Sequence, residues 1–291
     1  MTVLNQLVIG ASIGAVLLLI ALGLTFTFGQ MGVINLAHGE FIMAGAYTAF
    51  VLQGMFGTFA VPAALPVAFV VAGGLGRVLE RLAIRRFSGR PLDTLLLTFG
   101  VSLILQQAAR SIFGAPNVNV TRPTWLEGNL AIGAVRLPYT RMFMLALALG
   151  CVAAVFVYLI RTRHGRRMRA VVQNRQLASV TGVNTSRVDQ LTFFIGSGLA
   201  GVAGVAITLI GPIGPNLGTV YIVDAFLVVI AGGLGQLRGA VLVAFALGMF
   251  NSFVESVTDA SLAKVVVFVM IVAFLQLRPQ GLVALRTRAL T

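Results

Sequence analysis

The sequence predicts an all-α integral membrane protein, a polytopic bundle of about eight or nine transmembrane or half-membrane helices with a weak inverted repeat. Three observations carry this. Hydrophobic residues fill 58% of the 291 positions and charged residues only 10%, against about 25% charged in a soluble domain. Apolar stretches of about 20 residues, the length that spans a bilayer, recur along the chain. Two of those stretches are preceded by glycine-broken polar segments of similar make-up.

In order, the spans fall near 5–28, 37–56, 60–80, 92–113, 140–160, 188–210, 222–235, 239–257 and 261–277. The 222–235 stretch is too short for a full crossing and reads as a half-helix or an irregular one. The first span has no basic residue before it and no small-residue cleavage site leading to a soluble domain, so it reads as a retained helix. Together they form one transmembrane domain over 1–291: a first half to about 113, an outer loop at 114–139 and a second half from about 140.

Charge sets the orientation. The net +13 comes from 21 basic and 8 acidic residues, most of the arginines clustered in short loops. This is the positive-inside pattern and not a nucleic-acid surface. Arg77, Arg81, Arg85, Arg86 and Arg90 form one cluster, Arg161 to Arg175 a second, and Arg278, Arg286 and Arg288 a third. All three are placed in the cytoplasm, with the C-terminus. The N-terminus and the 114–139 loop, with Pro116, Pro123, Trp125 and Pro138, then lie outside. The single cysteine, Cys151, allows no intrachain disulfide and reads as a small buried hydrophobe.

The two broken segments share a plan. Gly29-Gln30-Met31-Gly32 is followed by Asn35, His38, Gly39 and Glu40. Gly211-Pro212-Ile213-Gly214 is followed by Asn216, Tyr221 and Asp224. Ionisable groups and irregular backbone at membrane depth are tolerated where they face water, a partner or a cavity. Gln30, Asn35, His38, Glu40, Asn216, Tyr221 and Asp224 are therefore candidates for lining a solute path or gate, with Gly29, Gly32, Gly39, Gly211 and Gly214 as backbone breaks. Structural alternatives stand beside this. Asn35 suits a helix N-cap, His38 an interhelical hydrogen bond, and Glu40 an ion pair with a loop arginine. Gly196, Ala200 and Gly204, with Ser197 and Gly201, form a small-residue stripe suited to close helix packing.

The stretch Arg161–Val183 reads as a cytoplasmic amphipathic helix from Arg166 to about Ser179, stopped near Gly182. Arg166, Arg167 and Arg169 fall in its first turn, where the helix dipole disfavours cations. Met168, Val171, Val172 and Ala178 supply an apolar face. Such a helix suits docking into a partner's groove, with Arg166, Arg169, Asn174, Ala178 and Gly182 as candidate coupling residues within the 161–185 loop.

At this point the chain resembles a family. "GLTFTFGQMGVINLAHGEFIMAGAY" (23–47) is similar to the opening of permease subunits of branched-chain amino-acid and urea ABC importers. "GRRMRAVVQNRQLASVTGV" looks like that family's ATPase-coupling loop, and "GTVYIVDAFLVVIAGGLGQLRGA" and "RPQGL" match later blocks. "RPLDTLLLTFGVSLILQQAARSIFGAPNV", "TWLEG" and "TDASLAKVVVFVMIVAFLQLRPQGL" lean towards the urea member. The resemblance implies a bacterial inner-membrane importer working by alternating access. Its partners would be a second homologous permease, two cytoplasmic ATPases and an extracytoplasmic solute-binding protein. Urea is the expected solute, with branched-chain or other amino acids as the alternative. The chain contains no G-x-x-x-x-G-K-[ST] loop, so ATP would be bound by the partners. It also lacks H-E-x-x-H, G-x-S-x-G and metal-ligand clusters, which argues against an enzyme. A secondary transporter or urea channel is the remaining rival.

Overall fold

The computed structural model describes residues 3–87, 89–132 and 135–283. Arg286 and Arg288 of the third basic cluster lie outside them. The helices are α1 (Val3–Met31), α2 (His38–Phe56), α3 (Ala60–Leu82), α4 (Pro91–Phe113), α5 (Tyr139–Arg161), α6 (Arg163–Gln173), α7 (Arg175–Val180), α8 (Thr185–Ile207), α9 (Leu217–Gly232), α10 (Leu237–Glu255) and α11 (Ala260–Leu277). Among the described residues, seven stretches are long and apolar enough to cross a membrane. One of them, His38–Leu82, contains both α2 and α3, joined by a short 3₁₀ turn at Gly57–Phe59 and packed on each other. The protein is a multi-pass, all-α membrane protein. Among the described residues the local exceptions are an antiparallel hairpin of β1 (Asn129–Ile132) and β2 (Val135–Pro138) and an isolated bridge between Val118 and Ile213.

α8 is the central helix. It packs against α1, α2 and α3, and every residue from Gly196 to Ile207 is buried. Its small-residue stripe makes this possible. A Cβ on Gly201 would stand 2.4 Å from the Ala68 carbonyl oxygen, and one on Gly204 would stand 2.0 Å from that of Ile42. Without a hydrophobic driving force in lipid, such backbone-to-backbone approach is what holds helices together. α11 is peripheral, with only Ala263 and Ile271 buried.

α9 occupies 217–232 and not 222–235. It starts five residues early because Asn216 ends the irregular segment, and it is only 16 residues long. The basic stretch after α5 also departs from the sequence reading. It is two helices, because Asn174 takes extended backbone and its side chain accepts from Leu177 N at 2.9 Å, capping a new helix. The first begins at Arg163, capped by Thr162, so Arg166, Arg167 and Arg169 follow the first three helical positions. Its apolar residues are already used. Met168, Val171 and Ala178 are buried with Leu22, Phe26, Val155, Val188 and Leu199 of the bundle, while Val172, Leu177 and Val180 are exposed. Gly182, at φ +86, turns the chain out of α7.

Arg175 anchors this hairpin. Its guanidinium makes a two-pronged bond to buried Asp189 in α8. Arg175→Ala would leave that carboxylate without its partner. Amide hydrogen exchange across residues 175–182 is expected to speed up while α8 stays protected. Unchanged exchange would show that the packing of Ala178 alone holds α7.

Candidate functional site: two helix starts meeting inside the bundle

After α1 ends at Met31 the chain reverses at Gly32, the glycine of this segment in the left-handed region, at φ +64. Residues 33–37 then run back along α1. His38, the first residue of α2, places Nε2 3.2 Å from the Ile20 carbonyl, roughly 16 Å of helix rise above Met31. A carbonyl only accepts, so Nε2 carries the proton of this bond. α2 therefore begins inside the bundle and not at its edge. α6 and α7 lie at the end from which this segment enters, since Met168 packs on Leu22 and Phe26.

The second break enters from the other end. There Ile213 and Val118 of the 114–138 segment exchange backbone bonds of 2.8 and 2.9 Å. α9 then starts at Leu217, and Gly218 lies against Gly39. A Cβ on Gly39 would sit 2.3 Å from the Gly218 carbonyl oxygen, and one on Gly218 would sit 2.6 Å from the Gly39 carbonyl carbon. Two broken segments, one from each end, thus deliver two helix N-termini to one point.

α4 carries a row of buried polar side chains four residues apart, Thr94, Thr98, Ser102 and Gln106. Thr94 donates to the Arg90 and Pro91 carbonyls of its own helix start, and the other three bind the crossing. Thr98 Oγ1 accepts from Leu36 N at 3.1 Å. Ser102 Oγ and Gln106 Nε2 both donate to Glu40 Oε1 at 2.9 Å, and Gln106 also donates to Thr219 Oγ1 at 3.0 Å. One turn on, Arg110 donates to Asn216 Oδ1 at 2.6 Å. Gln106 therefore joins the starts of α2 and α9 to one helix.

Several sequence readings change here. Glu40 bonds to Ser102 and Gln106 and not to a loop arginine. Asn35 Oδ1 accepts from Ala37 N at 3.0 Å, two residues on, while Ala37 itself holds the N-cap position of α2. Gly29 and Gly39 lie within helices as close-packing positions, Gly29 against Gly235. Gly211 has open space around it, whereas a Cβ on Gly214 would meet Asn117 Oδ1 at 2.0 Å. The α4 polar row and Arg110 went unread in the sequence. The four-residue spacing was the available signal, diluted by the leucines between.

Asn35, His38 and Glu40 are at most 1% exposed, and none lines either of two cavities in the bundle. Yet both Gln30 amide atoms, Asn35 Nδ2, His38 Nδ1 and Glu40 Oε2 are buried without a hydrogen-bond partner among the described residues. Tyr221 and Asp224 do line a cavity, of about 760 Å³, between α1, α5, α9, α10 and α11. Arg169 lines the smaller one, of about 370 Å³, between α1, α5 and α6. Arg166 is exposed.

Residues 6–275 match the family described as branched-chain amino acid transport system, permease component. The chain is 32% identical to the high-affinity branched-chain amino acid transport system permease protein BraD of Pseudomonas aeruginosa, over 96% of this chain and 95% of that one. It is 29% identical to LivH of Escherichia coli K12, of the same description, over 96% and 94%. It also resembles the permease LivM of that organism, at 27% identity over 94% of this chain and 68% of LivM. With its buried helix starts and its multi-pass bundle, the chain belongs to the branched-chain amino-acid ABC permease family.

Proposed function

We propose that the protein is one of two permeases in an ATP-driven importer that carries branched-chain amino acids across the bacterial inner membrane by alternating access. The observation that carries this reading is the meeting of two helix N-termini from opposite ends of the bundle at Gly39 and Gly218. Inverted repeats built this way rock around such a point and bind solute beside it. The reported relatives are named for branched-chain amino acids, so the solute reading moves from urea to the amino-acid alternative. Likeness to both LivH and LivM supports a second, related permease as partner. Two cytoplasmic ATPases and an extracytoplasmic binding protein complete the assembly, with the C-terminus on the ATPase side.

The unpartnered polar atoms of Gln30, Asn35, His38 and Glu40 fit a bundle with a second arrangement. Buried groups without partners are costly, and parting α1 from α2 would hydrate them. In this reading the four residues border the path in that second state and position the α2 start in this one.

Coupling runs through α6 and α7. Since Met168, Val171 and Ala178 are occupied by the bundle, Leu177 and Val180, 62% and 84% exposed, form the apolar contact for an ATPase, with exposed Arg166 on the preceding helix supplying charge. Asn174 and Gly182 shape the hairpin that presents them. Leu177→Asp with Val180→Asp is expected to abolish co-purification of the ATPases from detergent, while the permease remains folded. Retention of ATPases with solute-stimulated hydrolysis intact would contradict this docking surface. If purified permease moved solute down its gradient without any ATPase, the carrier or channel alternative would replace the importer reading.

A further inference from the structure

We propose that the cavity between α1, α5, α9, α10 and α11 recognises a zwitterionic apolar amino acid, with Arg141 facing its carboxylate and Asp224 its ammonium group. This rests on the importer reading and names the residues that would select its solute.

Four charged side chains line this one cavity: Arg141 in the first turn of α5, Asp224 in α9, Glu255 at the end of α10 and Lys264 in α11. Two ion pairs within 4.0 Å occur among the described residues, Arg90–Asp93 and Arg175–Asp189, and neither is here. Two cations and two anions therefore face the same space, each beyond ion-pair reach of the others. Arg141 is half-buried, and its Nη1 is buried with no hydrogen-bond partner. Charged groups at membrane depth are costly unless they serve a path or a ligand.

Most of the remaining wall is apolar, with Val16, Leu17, Met144, Ile210 and Leu247, and Ser12, Tyr221 and Asn251 are its uncharged polar members. The volume, about 760 Å³, falls in the range of small-molecule sites. A ligand satisfying this surface carries one positive and one negative group on a short frame, with an apolar remainder. A guanidinium takes a carboxylate in two parallel bonds, and a carboxylate accepts from an ammonium. Urea, small and uncharged, would bring no opposite charge to Arg141 or Asp224 and would leave the apolar wall unfilled. Lys264 and Glu255, both exposed, would frame the mouth. The cavity lies between helix starts and ends on the 114–138 side of the bundle, where a binding protein would release its cargo.

The test uses the whole importer in proteoliposomes, with leucine-loaded binding protein, and reads leucine moved per ATP hydrolysed. Arg141→Gln and Asp224→Asn should each lower that ratio by about tenfold or more, the cost of one charge-assisted hydrogen bond, while stimulated ATP hydrolysis persists. Arg141→Lys and Asp224→Glu should recover part of it. Variants that assemble and keep the wild-type ratio would overturn the proposal and leave the importer reading standing. Wild-type protein that hydrolyses ATP and moves no leucine would defeat the importer reading itself. A second measurement covers variants that fail to assemble. Asn251→Cys in a Cys151→Ala background places a thiol in the cavity wall. Its reaction with a water-soluble thiol reagent should be slowed by leucine and not by 4-methylpentanoate or 3-methylbutylamine, each lacking one charge. Equal reaction rates with and without leucine would also overturn the proposal.

Discussion

Gly39→Val and Gly218→Val are each expected to prevent the mature bundle from forming, or to leave a permease with a sharply lowered melting temperature and no transport. The reason is geometric. Even the first side-chain carbon at Gly39 would stand 2.3 Å from the Gly218 carbonyl oxygen, and the obstructing atom is backbone, not the flexible end of a side chain. Overpacking of a well-packed interior costs about 1–3 kcal/mol and sometimes more. Here the helices themselves must separate, which also breaks the Gln106 bonds to Glu40 and Thr219. Gly54→Ala, in the same helix with nothing within 4 Å, serves as the control and should be neutral or slightly stabilising. Melting of the purified permease reads both. Equal melting temperatures for Gly39→Val and Gly54→Ala would mean that the crossing is not close-packed.

The second large effect concerns Gln106. Gln106→Leu removes a donor to Glu40 Oε1 and another to Thr219 Oγ1, leaving Ser102 as the sole partner of that carboxylate oxygen. Loss of one hydrogen bond to a charged carboxylate costs about 1.5–3 kcal/mol. Glu40→Gln in the Gln106→Leu background should then cost much less than Gln106→Leu alone, because the deprived group has itself been changed. A double-mutant cycle on unfolding isolates that coupling. Strictly additive effects would show that Glu40 and Gln106 do not act together.

Much of the architecture was legible because lipid imposes simple rules. Span length, the arginine clusters, the small-residue stripe on α8 and both irregular segments follow from the cost of burying charge and unbonded backbone. Other features were hidden for physical reasons. Glycine serves equally for reversing a chain and for letting two helices touch, so Gly29, Gly32 and Gly39 look alike in sequence. Only Gly32 has the left-handed backbone. Asn174 sits in a run without Gly or Pro, yet its side chain caps a new helix. The partners of Glu40 lie 62 and 66 residues away in α4, a distance that no local pattern reports. The relatives reported are named for branched-chain amino acids and not for urea, and the charged cavity gathers its lining from five separate helices, which no single stretch of sequence reports.

The most direct measurement is accumulation of radiolabelled leucine and urea by proteoliposomes holding this permease with its second permease, both ATPases and the binding protein. The account predicts that leucine accumulates against its gradient only when ATP is present on the ATPase side, and that urea does not. Accumulation of urea, or entry of leucine at the same rate without ATP, would contradict it.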